Sequence, residues 1–132
     1  MIGLDTNVLV RYIMQDDAKQ SPKATKIIEA LDGIEQSGYV TLVSIIELVW
    51  VLGVSYELTH AQVAQALDSL LRAKQLKIEN ADQVIRALRV FNAGKSDFAD
   101  CLIERSANSA GCEKTITFDV NASKHSGMTL VA

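Results

Sequence analysis

The sequence predicts an α/β fold built on a parallel sheet. Short apolar runs alternate along the chain with amphipathic segments of helical period, the pattern of strands joined by helical crossovers. Three of those runs lead at once, or within one helical turn, into an acid, and parallel strands would put all three acids on the carboxyl edge of one sheet, where open α/β sheets place their ligands. No Gly/Ser/Pro-rich linker, charge run or internal repeat divides the 132 residues. That length suits one domain, so residues 1–132 are expected to form a single one.

Ile2 to Leu4 reads as the first strand, followed by a helix with Val8, Leu9, Tyr12 and Ile13 on one face. Ser21 followed by Pro22 has the form of an N-cap with proline in the first helical position, opening a helix that runs to about Leu31 and stops at Gly33. Tyr39 to Val43 is the second strand. Ser44 and Glu47 have capping-box spacing, so a helix is expected to start there. Thr59 caps the next helix, with Val63, Ala66, Leu67, Leu70 and Leu71 on its apolar side. Leu76 to Ile78 is a short strand. Asn80 caps a helix with Val84, Leu88 and Phe91 inward, ended by Gly94. Ser96 starts a helix through Ala110, closed by Gly111. Thr115 to Phe118 and Met128 to Val131 are the last strands.

Composition excludes several classes. Hydrophobic residues at 48% and charged residues at 22% fit a soluble globule, and one Pro with seven Gly excludes collagen-like and low-complexity chains. The net charge of -3 argues against a surface that attracts nucleic acid everywhere. Cys101 and Cys112 are too few for a disulfide scaffold and fit a reducing compartment. The N-terminus carries no basic segment before an apolar run, so no secretory leader is expected. The longest apolar stretch, Leu42 to Tyr56, contains a Glu and falls short of the ~20 residues that span a bilayer. A cytoplasmic protein without membrane contact is expected. The Gly-rich phosphate loop, the dinucleotide fingerprint and the nucleophile elbow are all missing. His60 and His125 lack zinc spacing.

The acids carry the chemical signal. Ile2-Gly3-Leu4 leads into Asp5, Tyr39 to Val43 through Ser44 to Glu47, and Thr115 to Phe118 into Asp119. An Asp after a strand also serves as a helix cap, at roughly even odds for each site. Glu47 is the only charged residue from Leu42 to Tyr56, with apolar neighbours on every side. Its helix is expected to be largely buried, where an unpartnered carboxylate is costly. Its side chain can also reach back to the Ser44 amide as half of a capping box. Asp97 and Asp100 are three apart and share a helix face, where they repel modestly. Acids in a first turn also suit the helix dipole, which by itself accounts well for Asp97. Carboxylates converging without a His or Cys cluster point to a hard divalent cation, Mg²⁺ or Mn²⁺, which commonly serves phosphoryl chemistry. Trp50, Phe91 and Phe98 are expected in the core, or for Trp50 at a dimer interface.

Asp5-Thr6-Asn7-Val8-Leu9-Val10-Arg11, Ser44-Ile45-Ile46-Glu47-Leu48, Asp97-Phe98-Ala99-Asp100-Cys101-Leu102-Ile103 and Thr117-Phe118-Asp119 occur in that order. Together they resemble a PIN domain, and more narrowly the VapC-type toxins of prokaryotic toxin–antitoxin pairs, over Ile2 to Val131. The resemblance implies a PIN-like three-layer α/β/α arrangement with a central parallel sheet of four to five strands. It implies a Mg²⁺- or Mn²⁺-dependent ribonuclease, often dimeric, inhibited by a small antitoxin protein. By motif position the catalytic, metal-holding acids fall on Asp5, Glu47, Asp100 and Asp119, with Asp97 an additional acid. Thr6, Asn7 and Ser44 match residues that orient the carboxylates. Arg11 is equally suited to binding substrate phosphate or to pairing with an acid, and Lys95 is a weaker candidate of the same kind. The alternatives are a metal-dependent phosphatase, whose first motif needs a second Asp where Asn7 stands, a receiver-like domain, for which Lys124 is poorly placed after Asp119, and a non-catalytic PIN-like interaction module. With the four motif acids set aside, 12 acids face 13 Lys and Arg, so the negative charge belongs to the expected site rather than to the whole surface.

Overall fold

Five strands, seven α-helices and one π-helical turn follow one another in a computed structural model that describes residues 1–132. They fall into two compact units, Met1–Glu79 and Asn80–Ala132.

The first unit carries a three-stranded parallel sheet in the order β1 (Ile2–Gly3), β2 (Gly38–Val40), β3 (Leu76–Ile78). Ile2 pairs with Gly38, and Gly38 in turn with Leu76. Gly38 is required by space: a Cβ there would come within 2.7 Å of Leu4 and 3.0 Å of Leu31 and Leu76, side chains that close over the strand. The crossovers are α1 (Thr6–Met14), α2 (Gln20–Glu29), α3 (Leu42–Trp50) continued by a π-helical turn over Val51–Ser55, and α4 (His60–Arg72). Leu9, Ile28, Val40, Ile45, Leu48, Leu52 and Leu67 are fully or almost fully buried. At about 25 cal/mol per Å² of apolar surface removed from water, such side chains dominate the favourable side of folding.

The second unit packs α5 (Ala81–Ala93) against α6 (Phe98–Ser109). Phe91 and Phe98 meet edge to face, with ring centroids 5.7 Å apart, the geometry that their quadrupoles favour. Strands β4 (Ile116–Thr117) and β5 (Thr129–Leu130) pair in parallel around α7 (Val120–His125).

Several expectations need correction. The strands are all parallel, but they form a three-stranded and a two-stranded sheet rather than one central sheet of four to five strands. Strands β4 and β5 are two residues each and satisfy one another across α7, through Thr129 N–H to the Thr115 carbonyl and Val131 N–H to the Thr117 carbonyl, both at 2.8 Å. Ser21 does not cap α2, which begins at Gln20. It is buried, and its hydroxyl accepts from the Asp17 amide at 3.3 Å. Nor does Ser44 cap α3, because Thr41 takes that place. Asn80 precedes α5 in a left-handed conformation, φ 47°, with no side-chain cap. Asp97, not Ser96, caps α6. Helix α7 falls where the sequence reading has no element, since six residues are too few for a helical period to register. Thr59 does cap α4, in a reciprocal box with Gln62.

Candidate active site

Asp5 sits between β1 and α1 and caps the helix, its Oδ1 accepting from the Thr6 amide at 2.8 Å. Thr6 is 4% exposed, and its hydroxyl is the one buried side-chain polar atom in the chain with no hydrogen-bond partner. Asp5, Thr6, Asn7, Arg11, Glu47 and Tyr56 all line one cavity of about 370 Å³. In the first unit, therefore, two motif acids from segments far apart in sequence face a common space. Ser44 lies elsewhere: its Oγ accepts from the Thr41 hydroxyl at 3.2 Å, tying down the first turn of α3.

Glu47 is exposed, contrary to the expectation of a buried helix. Helix α3 buries only Ile45 and Leu48. On its other side Val43 is 75%, Ile46 37% and Trp50 61% exposed, and Val54 in the following turn is 57% exposed. Apolar composition all round the helix thus reflects one face in the core and one face bare. Trp50 belongs to the bare face, not to the core. A second cavity of about 380 Å³ is lined by Val43, Ile46, Glu47 and Trp50, so Glu47 stands between an acidic cavity and an apolar one.

In the second unit Asp97 caps α6, its Oδ1 accepting from the Asp100 amide at 3.0 Å. Asp119 caps α7, with Oδ1 accepting from the Asn121 and Ala122 amides at 2.8 and 3.2 Å. Its own amide is fixed by the Thr117 hydroxyl at 3.0 Å. Burial raises the Asp100 carboxyl above its ordinary value, and the nearby charges of Asp97 and then Asp119 add to the effect. Capping is therefore real for Asp5, Asp97 and Asp119, yet each cap uses only one oxygen. No Lys or Arg forms an ion pair with any of the five acids. Lys95 is exposed two residues before Asp97.

Arg11 has found partners. Its Nε donates to Gln20 Oε1 at 2.8 Å, and its Nη1 donates to Asp16 Oδ1 at 3.3 Å and Tyr56 Oη at 3.4 Å. Tyr56 donates in turn to Asp16 Oδ2 at 2.7 Å. The roles of Asp16, Gln20 and Tyr56 have no sequence signal, because the contacts join α1 to the turn after it and to the segment following α3.

A family model for the PIN domain matches residues 2–127. The chain belongs to the PIN-domain family. The match spans all the motif acids, and the parallel strands with flanking helices agree with a PIN-like α/β fold. PIN domains are generally metal-dependent nucleases acting on nucleic acids. No relative among curated proteins matches the chain. The donor chemistry fits a divalent cation, because the acids supply only hard oxygen ligands. No three Asp, Glu, His or Cys side chains converge closely enough to enclose an ion in this conformation. No helix is long and apolar enough to cross a membrane.

Proposed function

We propose that this PIN domain, taken as one domain over residues 1–132, is a Mg²⁺- or Mn²⁺-dependent endoribonuclease, and that it acts as the VapC-like toxin of a toxin–antitoxin pair. The observation that carries the reading is the PIN-domain match over residues 2–127 with every motif acid present, two of which, Asp5 and Glu47, line one cavity.

Asp5, Glu47, Asp100 and Asp119 are the residues to hold the cation, and Asp97 shares the negative field at Asp100. A divalent ion held by them would supply charge stabilisation to the phosphodiester and activation of water for its hydrolysis. The capping bonds aim Asp5, Asp97 and Asp119 by their Oδ1 and leave Oδ2 for ligation. Thr6 and Asn7 border the same cavity as Asp5 and Glu47. Ser44 supports Glu47 only by fixing the start of α3. Lys95 is a cation placed near the second group of acids for a substrate phosphate.

Two partners follow from this reading. A small antitoxin would present a basic side chain to the acidic site. The bare row of Val43, Ile46, Trp50 and Val54 supports a homodimer, and the toxin reading carries with it a cytoplasmic location. The same row also suits a non-catalytic interaction module, which would bind its partner without metal. Cleavage of a panel of RNAs with Mg²⁺ or Mn²⁺, with and without chelator, tests the function. Wild type should cleave only with metal and Asp5→Asn should not; metal-independent or absent cleavage would sink the nuclease reading.

A further inference from the structure

The guanidinium of Arg11 is held without being used up. Its Nε and Nη1 are committed to Gln20, Asp16 and Tyr56, while Nη2 has no partner. Its contact with Asp16 is a single long bond of 3.3 Å rather than a bidentate fork. Asp16 divides its two oxygens, Oδ1 to Arg11 and Oδ2 to Tyr56. Tyr56 closes the triangle by accepting from Arg11 and donating to Asp16. Both Arg11 and Tyr56 line the cavity that Asp5, Thr6 and Glu47 also line.

A guanidinium held through Nε and Nη1, with Nη2 unpartnered on a residue that lines a cavity, can donate to an oxyanion from Nη2. The two acids of the cavity repel anions, so an anion that enters needs a fixed cation beside them. Arg11 is the one Lys or Arg lining that cavity. About 370 Å³ is ample for a phosphodiester with its sugar. On the proposed nuclease reading, we infer that Arg11 anchors the RNA phosphate next to the one that is cut. Asp16 and Tyr56 are positioning residues that hold the guanidinium in place. Arg11 grips substrate and takes no part in bond breaking.

Binding separates this role from a merely structural one. A short fluorescent single-stranded RNA is titrated in chelator against Asp5→Asn protein, which keeps the α1 cap and lowers the cavity's negative charge, and against Asp5→Asn/Arg11→Gln, over a range of salt. Each phosphate contact on single strands contributes about 0.7 to the slope of log K on log salt. Loss of Arg11 should therefore reduce that slope by about 0.7 and weaken binding at low salt. In cleavage assays with metal, Arg11→Gln should raise KM several-fold with kcat retained, and Tyr56→Phe should raise KM less, with the salt slope unchanged because the charge is still present. Unchanged slope and affinity in a folded Arg11→Gln protein would overturn the inference while leaving the nuclease reading standing. A fall in kcat with KM unchanged would also overturn it. If wild type cleaves no RNA and Asp5→Asn binds none, the nuclease reading fails and takes the inference with it.

Discussion

Tyr56 donates its hydroxyl to Asp16 at 2.7 Å, joining the segment after α3 to the end of α1. The bond holds the Asp16 carboxyl below its ordinary value and the Tyr56 hydroxyl above its own. For Asp16, the stabilisation is present above pH 3.8 and is lost as pH falls through the lower folded value. For Tyr56 it is present below pH 10.0 and is lost as pH rises through the higher folded value. Tyr56→Phe should therefore melt slightly below wild type between those limits, with the two curves converging at both extremes. Thermal melts across pH check this.

Asp5→Asn and Asp100→Asn should each reduce metal-dependent RNA cleavage by about a hundredfold or more, since even residues behind metal ligands cost 10–100-fold. Asn caps helices as well as Asp does, so the circular dichroism of Asp5→Asn should match wild type. Cleavage at the wild-type rate in a nuclease-free preparation would contradict the assignment.

Mg²⁺ should raise the melting temperature of wild type, and chelator should reverse the gain. A ligand at a hundred times its dissociation constant stabilises by about 2.7 kcal/mol. The gain should be much smaller in Asp100→Asn. An equal gain in both proteins would place the ion away from Asp100.

Trp50→Ser should leave folding stability within about 0.5 kcal/mol, as exposed substitutions do, while shifting a dimer toward monomer in sedimentation. Leu48→Ala, two residues away and fully buried, should cost about 2–5 kcal/mol.

Replacing Thr59 by Ala removes the hydroxyl that accepts from the Gln62 amide at 3.2 Å. Chemical denaturation should show a loss of about 1 kcal/mol. RNA cleavage should be unaffected, since Thr59 lines neither cavity of the first unit that contains Glu47.

Features fixed by neighbouring residues were legible in the sequence. The cap at Thr59, the stop at Gly94 and the strand Leu76–Ile78 each follow from local chemistry. So did the acids after short apolar runs, because an abrupt charge behind a strand is visible in one dimension. The fate of Glu47 was not. Apolar neighbours on every side are equally consistent with a buried helix and with one that leaves a face bare, and only the fold distinguishes them. The Arg11 triangle was hidden for another reason: Tyr56 and Arg11 are 45 residues apart. The division into two sheets lay beyond pattern reading as well, because two-residue strands carry no alternation.

Two of the motif aspartates, Asp5 and Asp119, are also helix caps, as is the additional Asp97, and a cap does not need a charge. Asn, Ser and Thr hold a first turn about as well. A descendant that had lost its activity would be free to exchange these residues by neutral drift without unfolding. On the proposed metal-binding role, aspartate at Asp5 and Asp119 is the choice that folding leaves open and ion binding does not, so these two positions are the ones at which an inactive copy of the domain would first be recognisable.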